Sequence, residues 1–148
     1  MKTRQQDNFR KPLNGVLDLT VIDAKTKEVI AEHTKRNLIV NTGYAAAAKA
    51  LAGQAAINYV KIGTNATLPT MDDTAITDAE TLPITSFEFP EFAVRFNFRI
   101  DALTANGMDI VEFGLITSSG DLFSRLVRPE VISKTNEIEI LGSWQINL

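Results

Sequence analysis

The chain has 148 residues and a mass of 16.3 kDa, with 45% apolar and 22% charged residues, a net charge of −3, no cysteine and one histidine. This composition is typical of one soluble globular domain. It excludes disulfides, thiolate metal sites, a cysteine nucleophile and, because His33 has no second histidine, a two-histidine metal site. No apolar run approaches the ~20 residues of a membrane-spanning helix, and residues 1–12 lack the apolar stretch of a signal peptide, so we expect neither membrane insertion nor secretion.

Charge is unevenly distributed along the chain. Residues 1–40 contain eight basic and five acidic residues, whereas residues 41–148 contain seven basic and thirteen acidic residues. A basic head of this kind attracts either nucleic acid or the acidic part of a neighbouring copy. Phe9 is the only aromatic residue among the first forty, so the interleaved aromatic and basic residues of nucleic-acid-binding surfaces are missing. We therefore expect no direct nucleic-acid role.

Residues 1–12 (MKTRQQDNFRKP) are predicted to form an extended basic arm. The segment is polar, has no hydrophobic periodicity and ends in a proline, so we expect it to order only against a partner. An arm that simply faces water is the alternative interpretation. The candidate partner-binding residues of the arm are Lys2, Arg4, Phe9, Arg10 and Lys11.

A β-hairpin is predicted directly after the arm. Leu17, Leu19 and Val21 share one face of its first strand and alternate with more polar residues. Residues 23–27 (DAKTK) are typical of a turn, and residues 28–35 are predicted to return as the second strand.

An alanine-rich helix is predicted over residues 44–52 (YAAAAKALA). Alanine has the highest helix propensity, Asn41 or Thr42 is suited to cap the first free amides, and Gly53 is suited to the C-terminal stop. A low-complexity linker is the alternative, but linkers rarely carry both a cap and a stop. The small side chains predict a helix that packs closely against a sheet.

A short strand is predicted over residues 57–63 (INYVKIG), followed by a loop over residues 64–83 with few apolar positions. A loop of that length in a compact domain is usually functional or a partner surface. Its acidic residues lack the regular spacing and the glycine of an EF-hand, so calcium binding is not favoured. We select Asp72 and Asp73 as its candidate partner-binding residues.

The strongest strand pattern covers residues 88–100 (EFPEFAVRFNFRI). One face of the predicted strand carries five apolar residues and must belong to the core: Phe92, Val94, Phe96, Phe98 and Ile100. Asn106 and Gly107 are predicted to supply the positive-φ residues of the turn that follows.

Three further strands are predicted, over residues 108–117, 122–128 and 137–148. In the second half of the chain, Gly114 is predicted to permit a bulge or a close backbone approach, and residues 134–136 are predicted to form a turn. About seven antiparallel strands, one short helix and one long loop fit a mainly β fold, an antiparallel β-sandwich over residues 13–148.

Catalytic chemistry is poorly represented in the sequence. His33 is the only imidazole, and no G-x-S-x-G motif accompanies it. Two pairs of carboxylates, Glu88 with Glu91 and Glu137 with Glu139, are candidates for glycoside hydrolysis, but alternating acids also build a solvent-facing strand surface. No Gly-rich phosphate-binding motif occurs. We therefore predict a protein that is not an enzyme and uses no cofactor or metal.

A carbohydrate-binding site would require exposed aromatic side chains. The candidates are Tyr44, Tyr59, Phe87, Phe89 and Trp144. Trp144 falls on the apolar face of the last predicted strand, which favours a place in the core.

Short motifs from residue 37 to the end of the chain suggest a family. The first half contributes NLIVNTG (37–43), which leads into the alanine-rich helix, and VKIGTN (60–65) before the loop. The second half contributes RFNFRI (95–100), ANG (105–107), IVEFGL (110–115), LFSR (122–125), ISKT (132–135) and the closing WQI (144–146). In this order, the motifs resemble those of small virion structural proteins of tailed bacteriophages, of the tail, fibre or collar type.

The resemblance implies a non-enzymatic building block of the virion, made in the bacterial host cytoplasm and repeated around a symmetry axis. Its partners would be copies of itself in a ring or another symmetric oligomer, and other virion proteins. The arm and the first hairpin lie outside the resemblance, and we expect on physical grounds that they and the long loop make the assembly contacts. The unequal charge of head and body favours head-to-tail contact. A capsid decoration protein and a host-glycan-binding fibre domain are the alternatives.

Overall fold

The structure is a computed structural model that describes residues 12–148; the predicted arm contacts Lys2, Arg4, Phe9, Arg10 and Lys11 lie outside the described residues. Ten strands and one helix follow one another along this part of the chain. The strands are β1 (Asn14–Asp23), β2 (Val29–Arg36), β3 (Leu38–Ile39), β4 (Ile57–Gly63), β5 (Glu80–Pro83), β6 (Ser86–Glu88), β7 (Ala93–Ile100), β8 (Asp109–Thr117), β9 (Leu122–Ser133) and β10 (Ile138–Asn147), and helix α1 covers Asn41–Ala50.

The strands form two five-stranded antiparallel sheets. The order in sheet A is β2-β1-β10-β7-β6, and the order in sheet B is β3-β9-β8-β4-β5. The core side chains of the two sheets form one continuous apolar cluster that includes Leu19, Phe98, Phe113 and Trp144. The predicted mainly β fold and β-sandwich are therefore confirmed.

The first and last strands pair along their whole length in the middle of sheet A. Asn14 lies opposite Asn147, and Asp23 lies opposite Ile138. The described chain therefore begins, at Pro12, and ends, at Leu148, at the same end of the sandwich. We call this the arm end, because residues 1–11 join the domain there.

Strict alternation of side chains explains why β10 was predicted well. Ile140, Trp144 and Ile146 are buried, whereas Leu141 on the opposite face is exposed. Gly142 belongs to the buried face, and a Cβ atom there would lie only 2.1 Å from the ring of Phe98 on the neighbouring strand. The core thus requires a glycine at this register position, where the aromatic ring fills the space.

The first hairpin and the short strand β4 agree with the sequence patterns. In the hairpin turn, the Asp23 carboxylate accepts hydrogen bonds from the backbone amides of Lys25 and Thr26, both at 2.8 Å. These bonds explain why aspartate opens the turn, since its side chain replaces a backbone partner. The turn predicted over residues 134–136 is also present, between β9 and β10.

Helix α1 begins three residues earlier than predicted, and the predicted side-chain caps are wrong. Val40 is the N-cap residue and provides no side-chain hydrogen bond. Asn41 and Thr42 lie inside the helix, where the Asn41 amide donates to Asp72 at 3.2 Å and the Thr42 hydroxyl donates to the carbonyl of Leu122 at 2.5 Å. Both side chains therefore tie the helix to other segments instead of capping it.

Two predicted segments are divided differently. The loop predicted over residues 64–83 ends at residue 79, because β5 pairs with β4. The strand predicted over residues 88–100 is interrupted between β6 and β7, where Phe92 has a φ of 49° and an exposed side chain. Phe92 is consequently not a core residue, since the positive φ turns the chain out of the alternating pattern.

Two smaller corrections concern the second half of the chain. The positive-φ residues of the turn after β7 are Ala105 (61°) and Gly107 (86°), not Asn106. The Asn106 side chain instead accepts a hydrogen bond from the buried ammonium group of Lys134 at 2.8 Å. Strand β9 extends beyond the predicted residue 128, past Pro129, to Ser133.

Candidate functional site

The loop over residues 64–79 covers the outer face of sheet B. Ile76 is buried there in a small apolar cluster with Val40, Ile116 and Leu122. A Cβ atom at Gly114 of β8 would lie 2.3 Å from the Ile76 Cδ1 atom, so the side chain occupies the space above the glycine. The sequence predicts a bulge or a close backbone approach at Gly114; the structure has instead a close side-chain approach there, and the register shifts of β8 fall at neighbouring positions. The part of sheet B around β8 and β9 is therefore covered on both faces, whereas the outer face of β4 and β5 is more exposed.

A buried ion pair holds this loop in place. Arg125 of β9 and Glu112 of β8 are 3% and 1% exposed, and the Arg125 Nε atom donates to the Glu112 carboxylate at 2.7 Å. The second Glu112 oxygen accepts the backbone amide of Asn65 at 3.3 Å, and Arg125 also donates to the Asn65 carbonyl at 3.3 Å. Loop backbone and sheet side chains thus satisfy one another.

The two predicted contact residues of the loop have different environments. Asp73 accepts a hydrogen bond from Arg125 at 3.0 Å and two from Thr70 at 2.9 Å. Burial raises the pKa of Asp73, but the hydrogen bonds from Thr70 and Arg125 outweigh this effect, so the pKa is lowered. Asp72 is exposed and accepts only from Asn41. Partner binding by both stays a prediction, and Asp72 is the more accessible.

An exposed apolar groove lies at the arm end of the sandwich. It has a volume of about 260 Å³ and opens between α1 and sheet A. Its walls and rim are almost entirely aliphatic: Leu13, Ala47, Ala50, Leu51, Val94 and Leu148. Leu51 is 93% exposed and Leu148 is 78% exposed, so the rim projects into solvent. Sequence reasoning missed this groove because its residues come from five separate segments.

Phe92 extends the apolar surface beside the groove. Its carbonyl accepts a hydrogen bond from the Leu148 amide at 3.1 Å, which fixes the two residues next to each other. The Phe92 side chain is 78% exposed. Contiguous exposed apolar surface of this kind marks interaction sites in soluble proteins. Leu13 itself lines the groove, so the arm joins the domain at the groove wall.

The first hairpin presents a second apolar surface on an edge strand. Val29 and Ile30, at the start of β2, are both exposed. Strand β2 pairs with β1 on one side and is the last strand of sheet A on the other. Its unpaired backbone groups are therefore accessible for strand addition.

The candidate sugar-binding aromatic residues are divided between the core and the surface. Trp144 is fully buried in the core, as its alternation pattern predicts. Phe87 and Phe89 are exposed, and the ring of Phe87 packs edge-on against Phe96 with a centroid distance of 5.6 Å. Sugar stacking by Trp144 is thus excluded.

Two of the four candidate catalytic carboxylates, Glu139 and Glu88, are engaged in ion pairs, whereas Glu91 and Glu137 are exposed. Glu139 is 3% exposed and binds Lys27 and Arg99. Hydrogen bonds from Lys27 and Arg99 lower the pKa of Glu139 to about 2, so this residue is anionic and unsuited to donate a proton near neutral pH. Glu88 binds Arg95 at 3.3 Å and accepts from Asn97 at 2.8 Å. These contacts stabilise the outer face of sheet A.

Among residues 12–148, no group of three or more His, Cys, Asp or Glu side chains has an arrangement that would hold a metal ion. Helix α1, the helix of this part of the chain, lacks the length and apolar character needed to cross a membrane. No protein-family model matches the chain, and no curated protein or solved structure is significantly similar to it.

We predict that Arg125→Met destabilises the protein by about 3–5 kcal/mol, because it leaves Glu112 charged and buried without its partner. Urea unfolding measures the loss, and hydrogen exchange should show that residues 64–79 lose protection. The matched control is Arg95→Met, which breaks the more exposed pair with Glu88 and should cost less than about 1 kcal/mol. Equal losses for the two variants would contradict the role assigned to the buried pair.

We predict that the stability difference between the wild type and Glu139→Gln depends on pH. Because ion pairing lowers the pKa of Glu139 from 4.5 to about 2, the stabilisation is complete above the unfolded-state pKa and disappears as the pH falls through about 2. Urea unfolding at pH 6, 4 and 2.5 should show the difference shrinking. Glu137→Gln, at an exposed neighbouring position, is the control. A difference that stays constant down to pH 2.5 would refute the assignment.

Proposed function

We propose that this protein is a non-enzymatic structural protein of a tailed-bacteriophage virion, associated with the tail, collar or fibre, that assembles as repeated copies through its arm and its loops. The virion part of the proposal rests on the ordered motifs over residues 37–148. The assembly part rests on one observation, the exposed apolar groove at the point where the basic arm joins the domain.

Exposure of the groove to water is energetically unfavourable for an isolated domain. Leu51, Phe92 and Leu148 are each more than three-quarters exposed, and burying such side chains contributes about 1.5–3 kcal/mol each. Leu51 and Leu148 both line the groove, and Phe92 is joined to Leu148 by a backbone hydrogen bond, so this apolar surface is suited to the centre of a protein interface. The surface therefore favours a partner protein over a small polar ligand.

The length of the arm fits contact between copies. Eleven extended residues span at most about 40 Å. A domain of this size has a radius of gyration of about 14 Å, so an arm that leaves the arm end can reach across the face of an adjacent copy. The arm has a net positive charge and residues 41–148 have a net negative charge, which favours an arm-to-body contact.

A capsid decoration protein is an alternative function, and it would use the same arm and groove for assembly. A host-glycan-binding fibre domain would have to use exposed phenylalanines or tyrosines, since Trp144 is buried. The aliphatic groove gives no polar groups for sugar hydroxyls, which makes this alternative the weaker one.

Deletion of residues 1–11 is expected to leave a folded domain that no longer assembles, because residues 12–148 form two complete five-stranded sheets around one continuous apolar core. Circular dichroism and urea unfolding report the fold, and light scattering coupled to size-exclusion chromatography reports the assembly. In the virion, the truncated protein should be missing from purified particles. Normal incorporation of the truncated protein would refute the role of the arm.

Leu51→Ser is expected to raise the protein concentration required for assembly at least tenfold, because it removes an aliphatic side chain from the groove rim. The matched control is Leu103→Ser, at an 88% exposed position in the turn after β7, at the opposite end of that strand from the arm end. Sedimentation equilibrium measures both variants. If the two substitutions have the same effect, the groove is not the interface.

A further inference from the structure

A second cleft opens between the two sheets along one side of the sandwich, away from the groove. Its walls are the edge strand β2 of sheet A and the second half of β9 of sheet B, and its volume is about 280 Å³. The core residues Leu17, Leu19 and Leu126 form its floor. The cleft therefore reaches the apolar interior from the solvent.

Arg128 lies in this cleft with its charge buried. The residue is 6% exposed, and within residues 12–148 its Nη1 atom has no hydrogen-bond partner. A guanidinium group stays protonated near neutral pH even though burial lowers the pKa of Arg128. A buried cation without a partner is strongly disfavoured. The negative charge of Glu130 partly offsets this cost, but it acts from beyond ion-pair distance and leaves Nη1 without an acceptor, so the position calls for an anionic group from outside the described residues.

Two more basic side chains belong to the same cleft. In the pairing of β2 with β1, His33 lies opposite Leu19 and Lys35 lies opposite Leu17. Opposed residues of an antiparallel pair project from the same face, so both basic residues are on the core-facing side of β2. His33 and Lys35 consequently flank the mouth of the cleft that has Arg128 inside.

Acidic residues at the rim limit the charge of the ligand. Glu32 and Glu130 also line the cleft, but in the described part of the chain neither lies within ion-pair distance of Arg128. Their negative field disfavours a doubly charged phosphate more than a singly charged carboxylate. The planar fork of donors on a guanidinium group also matches the two oxygens of a carboxylate.

We propose that the cleft between β2 and β9 is a carboxylate-binding site in which Arg128 binds the carboxylate oxygens and Lys35 and His33 lie at the entrance. The ligand is either a free carboxylate or an acidic side chain of a second protein chain, since both offer the same group. This site is independent of the proposed arm-mediated assembly, because it lies at the edge of the sandwich and binds the opposite charge.

The test is a titration of the full-length protein with sodium acetate against sodium chloride at equal ionic strength. Thermal unfolding and the NMR signal of the Arg128 Nε–H group are the readouts. Acetate at ten times its Kd should raise the Tm by about 3 °C and shift the Arg128 signal saturably, whereas chloride should do neither. Sodium phosphate is a third arm, and we expect a smaller effect from it.

Arg128→Met should abolish the acetate response while the protein still folds, because methionine fills the space without a buried charge. Arg128→Lys should retain the charge but weaken acetate binding about tenfold, because a lysine ammonium lacks the forked donors. Arg36→Met, at an exposed position of β2, is the matched control and should respond like the wild type.

Three outcomes overturn the proposal. They are a wild type that responds equally to acetate and chloride, an Arg128→Met variant that keeps the acetate response, and a stronger response to phosphate than to acetate. A free ligand and a partner side chain are distinguished by sedimentation of the wild type. Acetate that dissociates an oligomer, with Arg128→Met already dissociated, identifies the side chain of a second chain; acetate binding without a change in mass identifies a free ligand.

Discussion

The buried ion pair between Arg125 and Glu112 is the interaction on which the form of this sandwich depends. Two charges taken out of water are tolerated only when their remaining donors and acceptors are satisfied. Here the loop backbone at Asn65 and the carboxylate of Asp73 provide those partners. If the loop left the outer face of sheet B, Arg125 would lose its hydrogen bonds to Asn65 and Asp73, and Glu112 would lose the one from the Asn65 amide. A long segment with few apolar residues therefore behaves as a fixed layer of the fold.

The covering of sheet B determines which surfaces are open to partners. Around β8 and β9 its outer face lies beneath the loop, and the outer face of sheet A carries ion pairs around Glu139 and Arg95. The apolar and unpaired surfaces of the described residues lie at the ends and edges of the sandwich. The arm end offers an aliphatic groove, the edge strand β2 offers free backbone groups, and the cleft beside β2 offers a buried cation.

The alternation of apolar and polar residues along the strands made the sandwich predictable from the sequence. Its candidate sites could not be predicted in the same way, because they depend on contacts between separate segments. Strand β10 and the burial of Trp144 follow from a period of two along one segment. By contrast, Glu112 and Arg125 each lie within apolar runs, and only the tertiary fold brings them together. A charged residue within such a run is the one signal that could have identified them. The same signal was available for Arg128, which follows the apolar pair Leu126 and Val127.

Some predictions failed because a single residue left the regular pattern. Phe92 has the large apolar side chain of a core residue, but its backbone is in the left-handed region. The strand predicted over residues 88–100 therefore divides into two. Similarly, Asn41 and Thr42 have the chemistry of helix caps, but partners elsewhere in the fold compete for their side chains. Local propensity loses in these cases because one long-range contact contributes as much free energy as a cap.

The groove and the cleft differ in the chemistry that they accept. The groove is aliphatic and lies where the basic arm joins the domain, whereas the cleft contains the Arg128 guanidinium group, whose Nη1 atom has no partner within residues 12–148 and which repels a basic segment. The first eleven residues contain four basic residues and one acidic residue, Asp7. A neighbouring arm is therefore matched to the acidic body or the groove, and a neighbouring carboxylate is matched to the cleft. In the proposed assembly, unlike contacts on the two sides of one domain would give a head-to-tail arrangement, which closes into a ring when the rotation between copies permits it.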